Sequence, residues 1–165
     1  MSAVAPQFCT ASLANEAATA DFAAALAPFL KPGDVVALDG DLGAGKTAFA
    51  RTLINALPGE PEDVPSPTFT LVQTYERGGM EIWHFDLYRL EAPDEALELG
   101  IEDAFLDAVS LIEWPDKLGP LLPRGVLRVT LSNGATETAR EIALSGDDNW
   151  AERLGPLAEA WGRTA

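Results

Sequence analysis

The sequence predicts an α/β fold: a single domain spanning residues 1–165, with a mixed parallel and antiparallel sheet flanked by helices. Three observations carry this expectation. A continuous apolar run, Val35-Val36-Ala37-Leu38, reads as a short buried strand. It is followed by a glycine-rich loop from Gly40 and then by Phe49, Leu53, Ile54 and Leu57, the apolar stripe of a helix. Further along, Phe69–Tyr75 and Glu81–Leu87 flank Arg77-Gly78-Gly79 and read as an antiparallel hairpin. Early alternation of strand and helix favours parallel pairing, and the later hairpin makes the sheet mixed.

Cys9 reads as a small residue near a first strand. A helix is expected from Asn15, whose side chain can cap Glu16 to Thr19. Phe22, Leu26, Phe29 and Leu30 share one face of it, and Pro32-Gly33 stops it. Pro58-Gly59 ends the helix after the glycine-rich loop, and Gly59 to Pro67 is expected to be mobile. Asp94 to Asp107 is helical with an interruption at Gly100. Val109 to Glu113 is a further apolar strand. Val126–Leu131 and Glu141–Leu144 can pair across Ser132-Asn133-Gly134. From Asp147, one helical face carries Trp150, Leu154, Leu157 and Trp161, and Gly155-Pro156 must kink or split that helix.

Composition excludes several classes. No stretch approaches the ~20 apolar residues of a membrane span. Met1 to Leu30 holds no lysine or arginine, so neither a secretory signal nor a transit peptide is expected, and a cytoplasmic protein is. One cysteine rules out an internal disulfide, and one histidine leaves no cluster for zinc. The net charge of −15 comes from 26 acidic against 11 basic residues. Such a surface repels DNA and RNA, so any service to RNA would pass through a partner.

Gly40-Asp41-Leu42-Gly43-Ala44-Gly45-Lys46-Thr47 matches G-x-x-x-x-G-K-[ST], the phosphate-binding P-loop, in the strand-to-helix setting that the motif requires. The glycines let the backbone wrap closely and turn its N–H groups inward. The helix beginning near Lys46 adds unpaired N–H groups and a positive dipole end. Lys46 can reach the outer phosphates, and the Thr47 hydroxyl can ligate magnesium. The chain is thus expected to bind a nucleoside triphosphate with Mg2+. No Asn-Lys-x-Asp segment occurs, which favours ATP over GTP.

Such a loop needs an acid at the end of a neighbouring strand. Asp86 and Glu113 both qualify, and spacing alone does not choose between them. Ser66-Pro67-Thr68-Phe69 lies where switching NTPases carry a threonine that senses the outer phosphate, though a plain proline turn would look the same. His84, between Trp83 and Phe85, reads as structural, and Arg89 as a surface ion pair.

Taken together, Gly40–Thr47, Ser66-Pro-Thr-Phe-Thr-Leu71, His84-Phe-Asp-Leu-Tyr-Arg-Leu90, Glu98-Leu-Gly-Ile101 and Ile112-Glu-Trp-Pro115 resemble, in order and spacing, the TsaE (YjeE) family. This is the P-loop ATPase of bacterial tRNA threonylcarbamoyladenosine biosynthesis. The resemblance spans roughly Asn15 to Pro115. It implies a P-loop fold on a mixed sheet and partnership with TsaB and TsaD, which carry out the transfer to tRNA. The ATPase would regulate or reset them and meet tRNA only indirectly. By position, Thr47 and Glu113 are implied as magnesium ligands and Asp86 as the acid that positions water. Thr68 is implied as the nucleotide-responsive element, and Thr19 as a residue close to the nucleotide. Trp114 matches an aromatic beside the magnesium glutamate, and core packing would account for it equally well. Asn15 and Ala48 depart from the residues usual in the family. Beyond Pro115 the match weakens, and Arg140 is carried as a nucleotide contact on that thinner ground.

Two other functions fit the loop. A small-molecule kinase would normally close an arginine-bearing lid, whereas Arg51, Arg77, Arg89 and Arg124 are scattered. A module with a purely structural nucleotide would not need two strand-end acids. The leading expectation is a slow ATPase that depends on partner proteins.

Overall fold

The computed structural model describes residues 5–41 and 43–162. Leu42, expected to contact phosphate, lies outside the described residues. The strands are β1 (Gln7–Leu13), β2 (Val35–Asp39), β3 (Val72–Arg77), β4 (Met80–Asp86), β5 (Val109–Glu113), β6 (Leu127–Asn133) and β7 (Arg140–Ser145). They form one sheet of seven strands in the order β1-β7-β6-β2-β5-β4-β3. The central strands β6, β2, β5 and β4 run parallel, while β1, β7 and β3 join antiparallel at the two sides. The mixed sheet expected from the sequence is therefore the one observed.

Burial explains the central position of β2. Val35 to Leu38 are all buried, because the strand is paired on both sides and covered on both faces. On one face Val36 and Leu38 pack with Phe22, Leu26, Phe49 and Leu53 from α1 (Glu16–Leu26) and α2 (Lys46–Ala56). Trp150 and Leu157, from α5 (Asp148–Arg153) and α6 (Gly155–Trp161), join the same core. On the other face Val35, Phe85 and Ile112 pack with Ala96 of α3 (Glu95–Glu98) and with Ile101 and Ala104 of α4 (Ile101–Asp107). The result is a sheet with a layer of helices on each side.

Local chemistry sets the boundaries. Asn15 caps α1 by accepting from the Ala18 N–H at 2.9 Å. The α-helix stops at Leu26 and continues only as a 3-10 turn, Ala27–Phe29. It ends earlier than the apolar face suggests because Pro28 has no N–H to continue the ladder. Gly100, at φ 82°, separates α3 from α4. Gly155-Pro156 splits the last helical stretch into α5 and α6, with the proline in the first turn of α6, where its missing N–H costs nothing. The β3–β4 hairpin turns through Gly78 and Gly79 at φ 58° and 80°, the left-handed pair that a tight two-residue hairpin requires.

Two further expectations need correction. The first hairpin strand begins at Val72 rather than Phe69, and the preceding residues form a loop in which Leu71 has φ 70°. Thr68 turns its hydroxyl to Asp86 and the Leu71 N–H turns back to the Pro67 carbonyl, while the Leu71 carbonyl still accepts from the Asp86 N–H at the end of β4. The segment expected to be mobile is pinned along much of its length. Arg77, 2% exposed, donates from Nη1 to the Glu60 carbonyl at 2.5 Å and the Glu62 carboxylate at 2.9 Å. Its Nη2 meets the Leu57 carbonyl at 3.0 Å. Asn55 exchanges two hydrogen bonds with the Glu62 backbone, and Arg51 Nε holds the Val64 carbonyl at 3.0 Å.

Arg77→Ala strands the buried Leu57 carbonyl and releases the segment at Glu60 and Glu62. It is expected to lower the unfolding free energy by about 2–3 kcal/mol. Urea denaturation measures this, and a loss too small to resolve would mean that the arginine does not pin the segment.

Candidate functional site

The site forms at the carboxyl ends of the parallel strands, where loops of an open α/β sheet gather ligand-binding groups. The chain leaves β2 at Asp39 and returns as α2 at Lys46. Glycine is required at two points of this loop. A Cβ on Gly40 would meet the Leu131 carbonyl oxygen at 2.7 Å, and Gly45 caps α2 at φ 101°. Asp41 is exposed and contributes through its backbone, its carbonyl accepting from the Ala44 N–H at 3.0 Å.

Lys46 is 5% exposed, and its Nζ donates to the carbonyls of Gly40 at 2.5 Å and Asp41 at 3.1 Å. The same ammonium stands 3.9 Å from the centre of the Trp114 ring. Burial pushes its pKa below the ordinary lysine value, and the negative charges of Glu113, Asp86, Asp39 and Asp41 oppose that shift. Trp114 itself takes a left-handed backbone, φ 59°, immediately after β5. The tilted stack of Trp114 on Tyr88, with centroids 5.0 Å apart, fixes the ring at the mouth of the cleft.

β4 and β5 pair in parallel with Asp86 opposite Glu113, so both acids reach the same edge. The structure gives them different neighbours. Glu113, 2% exposed, accepts from the Thr47 hydroxyl, with Oε1 at 2.8 Å and Oε2 at 2.9 Å. Asp86, 4% exposed, accepts from the Thr68 hydroxyl at 2.9 Å through Oδ2 and from the Tyr88 N–H at 3.0 Å through Oδ1. Thr68 also shares a hydrogen bond of 2.7 Å with the Ser66 hydroxyl. Gly43, Gly45, Lys46, Thr47, Thr68, Asp86, Glu113 and Trp114 thus line one cleft of about 250 Å3.

A second cleft of about 310 Å3 adjoins it across Gly45 and Ala48. Thr19 and Arg140 lie on its wall together, although they are far apart in sequence. Arg140 Nε donates to the Ala44 carbonyl at 3.0 Å, which braces the loop from behind. Two features were missed in the sequence. Arg128 forms an ion pair with Asp39 at the entrance to the loop, and His84 touches Glu113. Only the second had a signal: His84 and Asp86 are two apart on a strand and so share a face.

The chemistry of these groups fits magnesium. Among the described residues no cluster of three or more His, Cys, Asp or Glu is arranged to cage a metal. A hydroxyl and one carboxylate suit a cation that keeps water and shares phosphate oxygens.

A loop of this build on this sheet defines a P-loop nucleotide-binding domain. Residues 13–142 match the model of the family "Threonylcarbamoyl adenosine biosynthesis protein TsaE". The tRNA threonylcarbamoyladenosine biosynthesis protein TsaE of Rickettsia bellii is 46% identical over 119 residues, 72% of this chain and 83% of its own. Its namesake from Bacillus subtilis is 38% identical over 141 residues, 85% of this chain and 87% of its own. The crystal structure of Bacillus subtilis YdiB aligns with a TM-score of 0.76 at 28% identity, over 96% of this chain and 99% of that one. The chain belongs to the TsaE family.

Proposed function

We propose that this protein binds and hydrolyses ATP in support of tRNA threonylcarbamoyladenosine biosynthesis. It would act on the TsaB–TsaD transferase and leave the transfer itself to that complex. Membership of the family supports the pathway. The observation that carries the ATPase reading is the convergence of Lys46, Thr47, Asp86, Glu113 and Thr68 on one cleft.

In this reading the loop N–H groups and the α2 N-terminus cradle the phosphates, and Lys46 places a positive charge against the outer ones. Thr47 and Glu113 would hold magnesium, which when bound neutralises charge on the phosphate oxygens. Asp86 orients the attacking water, and its hydrogen bond to Thr68 ties the 66–71 loop to the state of the nucleotide. Thr19 and Arg140, in the adjoining cleft, would contact the nucleoside side of the ligand. The acidic surface, net −15, fits contact with tRNA through the partners only. No helix among the described residues is long and apolar enough to cross a membrane, and a cytoplasmic location fits the pathway.

The kinase alternative gains nothing from the structure, since Arg51 and Arg77 are occupied by backbone carbonyls rather than free to close over phosphates.

The test is phosphate release from Mg2+-ATP, alone and with purified TsaB and TsaD. Slow release that the two partners accelerate is the expected result. A rate indifferent to both partners, or phosphorylation of a metabolite in a substrate screen, would overturn the proposal.

A further inference from the structure

The sequence placed His84 among apolar neighbours as a packing residue. Its contact is more specific. The ring is fully buried, and Nε2 lies 2.7 Å from Glu113 Oε2. The other ring nitrogen, Nδ1, has no hydrogen-bond partner among the described residues. A carboxylate oxygen only accepts, so Nε2 carries the hydrogen of this contact. That contact fixes the orientation of the ring.

The consequence falls on Glu113. Its side chain ends a strand, and free rotation of the carboxylate would present its oxygens to Thr47 in many ways. Thr47 Oγ1 is nearly equidistant from the two oxygens, at 2.8 and 2.9 Å, so the threonine alone does not choose between them. His84 does, by engaging Oε2 alone. β4 thereby serves both acids: Asp86 directly, and Glu113 through the residue two positions earlier on the same face.

We infer that His84 is a positioning residue: it fixes the Glu113 carboxylate through Oε2 and leaves Oε1, which His84 does not touch, turned toward a divalent cation beside Thr47. The inference rests on the reading above, in which Thr47 and Glu113 are the ligands. Hydrogen-bonded partners of metal-ligating carboxylates commonly govern metal affinity in this way.

The test measures Mn2+ binding to the full chain with ADP by electron paramagnetic resonance, alongside ADP binding without metal. His84→Phe is expected to weaken Mn2+ binding by about tenfold to a hundredfold, with metal-free ADP affinity unchanged. His84→Gln, which keeps an N–H donor on a similar reach, is expected to restore most of the loss. Mn2+ bound by His84→Phe as tightly as by the wild type would overturn the role of His84 alone. A wild type that binds ADP but not Mn2+ would overturn the ligand reading of Thr47 and Glu113, and this inference with it. Should His84→Phe fail to fold, the wild-type ring reports directly. The chain has one histidine, so its imidazole 15N spectrum is unambiguous. A hydrogen on Nε2 is expected, and an Nε2 without a hydrogen would overturn the inference.

Discussion

Lys46→Ala is expected to lower ATP turnover by at least about a hundredfold, the loss typical of removing one stabilising donor from a charge-developing site. The surroundings make the effect large. Asp39, Asp41, Asp86 and Glu113 all act on the Lys46 ammonium. Without it the cleft presents carboxylates to a polyanion on a chain of net charge −15. Nucleotide binding should therefore weaken with and without magnesium, since the lysine acts on phosphate whether or not metal is present. Titration with a fluorescent ATP analogue, together with phosphate release, measures both effects. Near-normal turnover in a folded Lys46→Ala protein would remove Lys46 from the chemistry and with it the main support for hydrolysis in this cleft.

Glu113→Ala is expected to match that loss of turnover, at least about a hundredfold, because on the proposed reading it removes a magnesium ligand itself rather than an outer partner of one. Its binding signature should be the opposite. Deleting a buried negative charge beside the loop favours an anion, so metal-free ADP is expected to bind as well as in the wild type or better. The additional affinity conferred by Mg2+ should disappear. Calorimetric titration of ADP with and without Mg2+ separates the two variants. If Glu113→Ala kept its magnesium dependence, Asp86 would take over the metal, and the division of labour between the acids would be reversed.

That division shows where sequence reading stopped. Both acids were visible as strand-end carboxylates, but spacing cannot say which of them faces the loop threonine. The answer depends on strand order: β5 lies directly beside β2, and β4 lies one strand further out. Glu113 therefore meets Thr47 across 66 residues of chain, while Asp86 meets Thr68. The mobile-loop expectation failed for the same kind of reason. Proline, glycine and acid describe a segment with little local preference, and they are silent about an arginine 15 residues downstream that folds back onto it.

By itself the sequence determined the α/β class, the P-loop, the caps and breaks of the helices and the apolar strands. These follow from hydrophobic period, from the missing N–H of proline and from the backbone freedom of glycine, all of which act within a few residues. Only the tertiary structure decided which acid joins Thr47, that His84 holds that acid, and that Thr19 and Arg140 share a cleft beside the loop. Those contacts exist because a particular strand order brings distant residues to one edge of the sheet, and local pattern carries no record of that order.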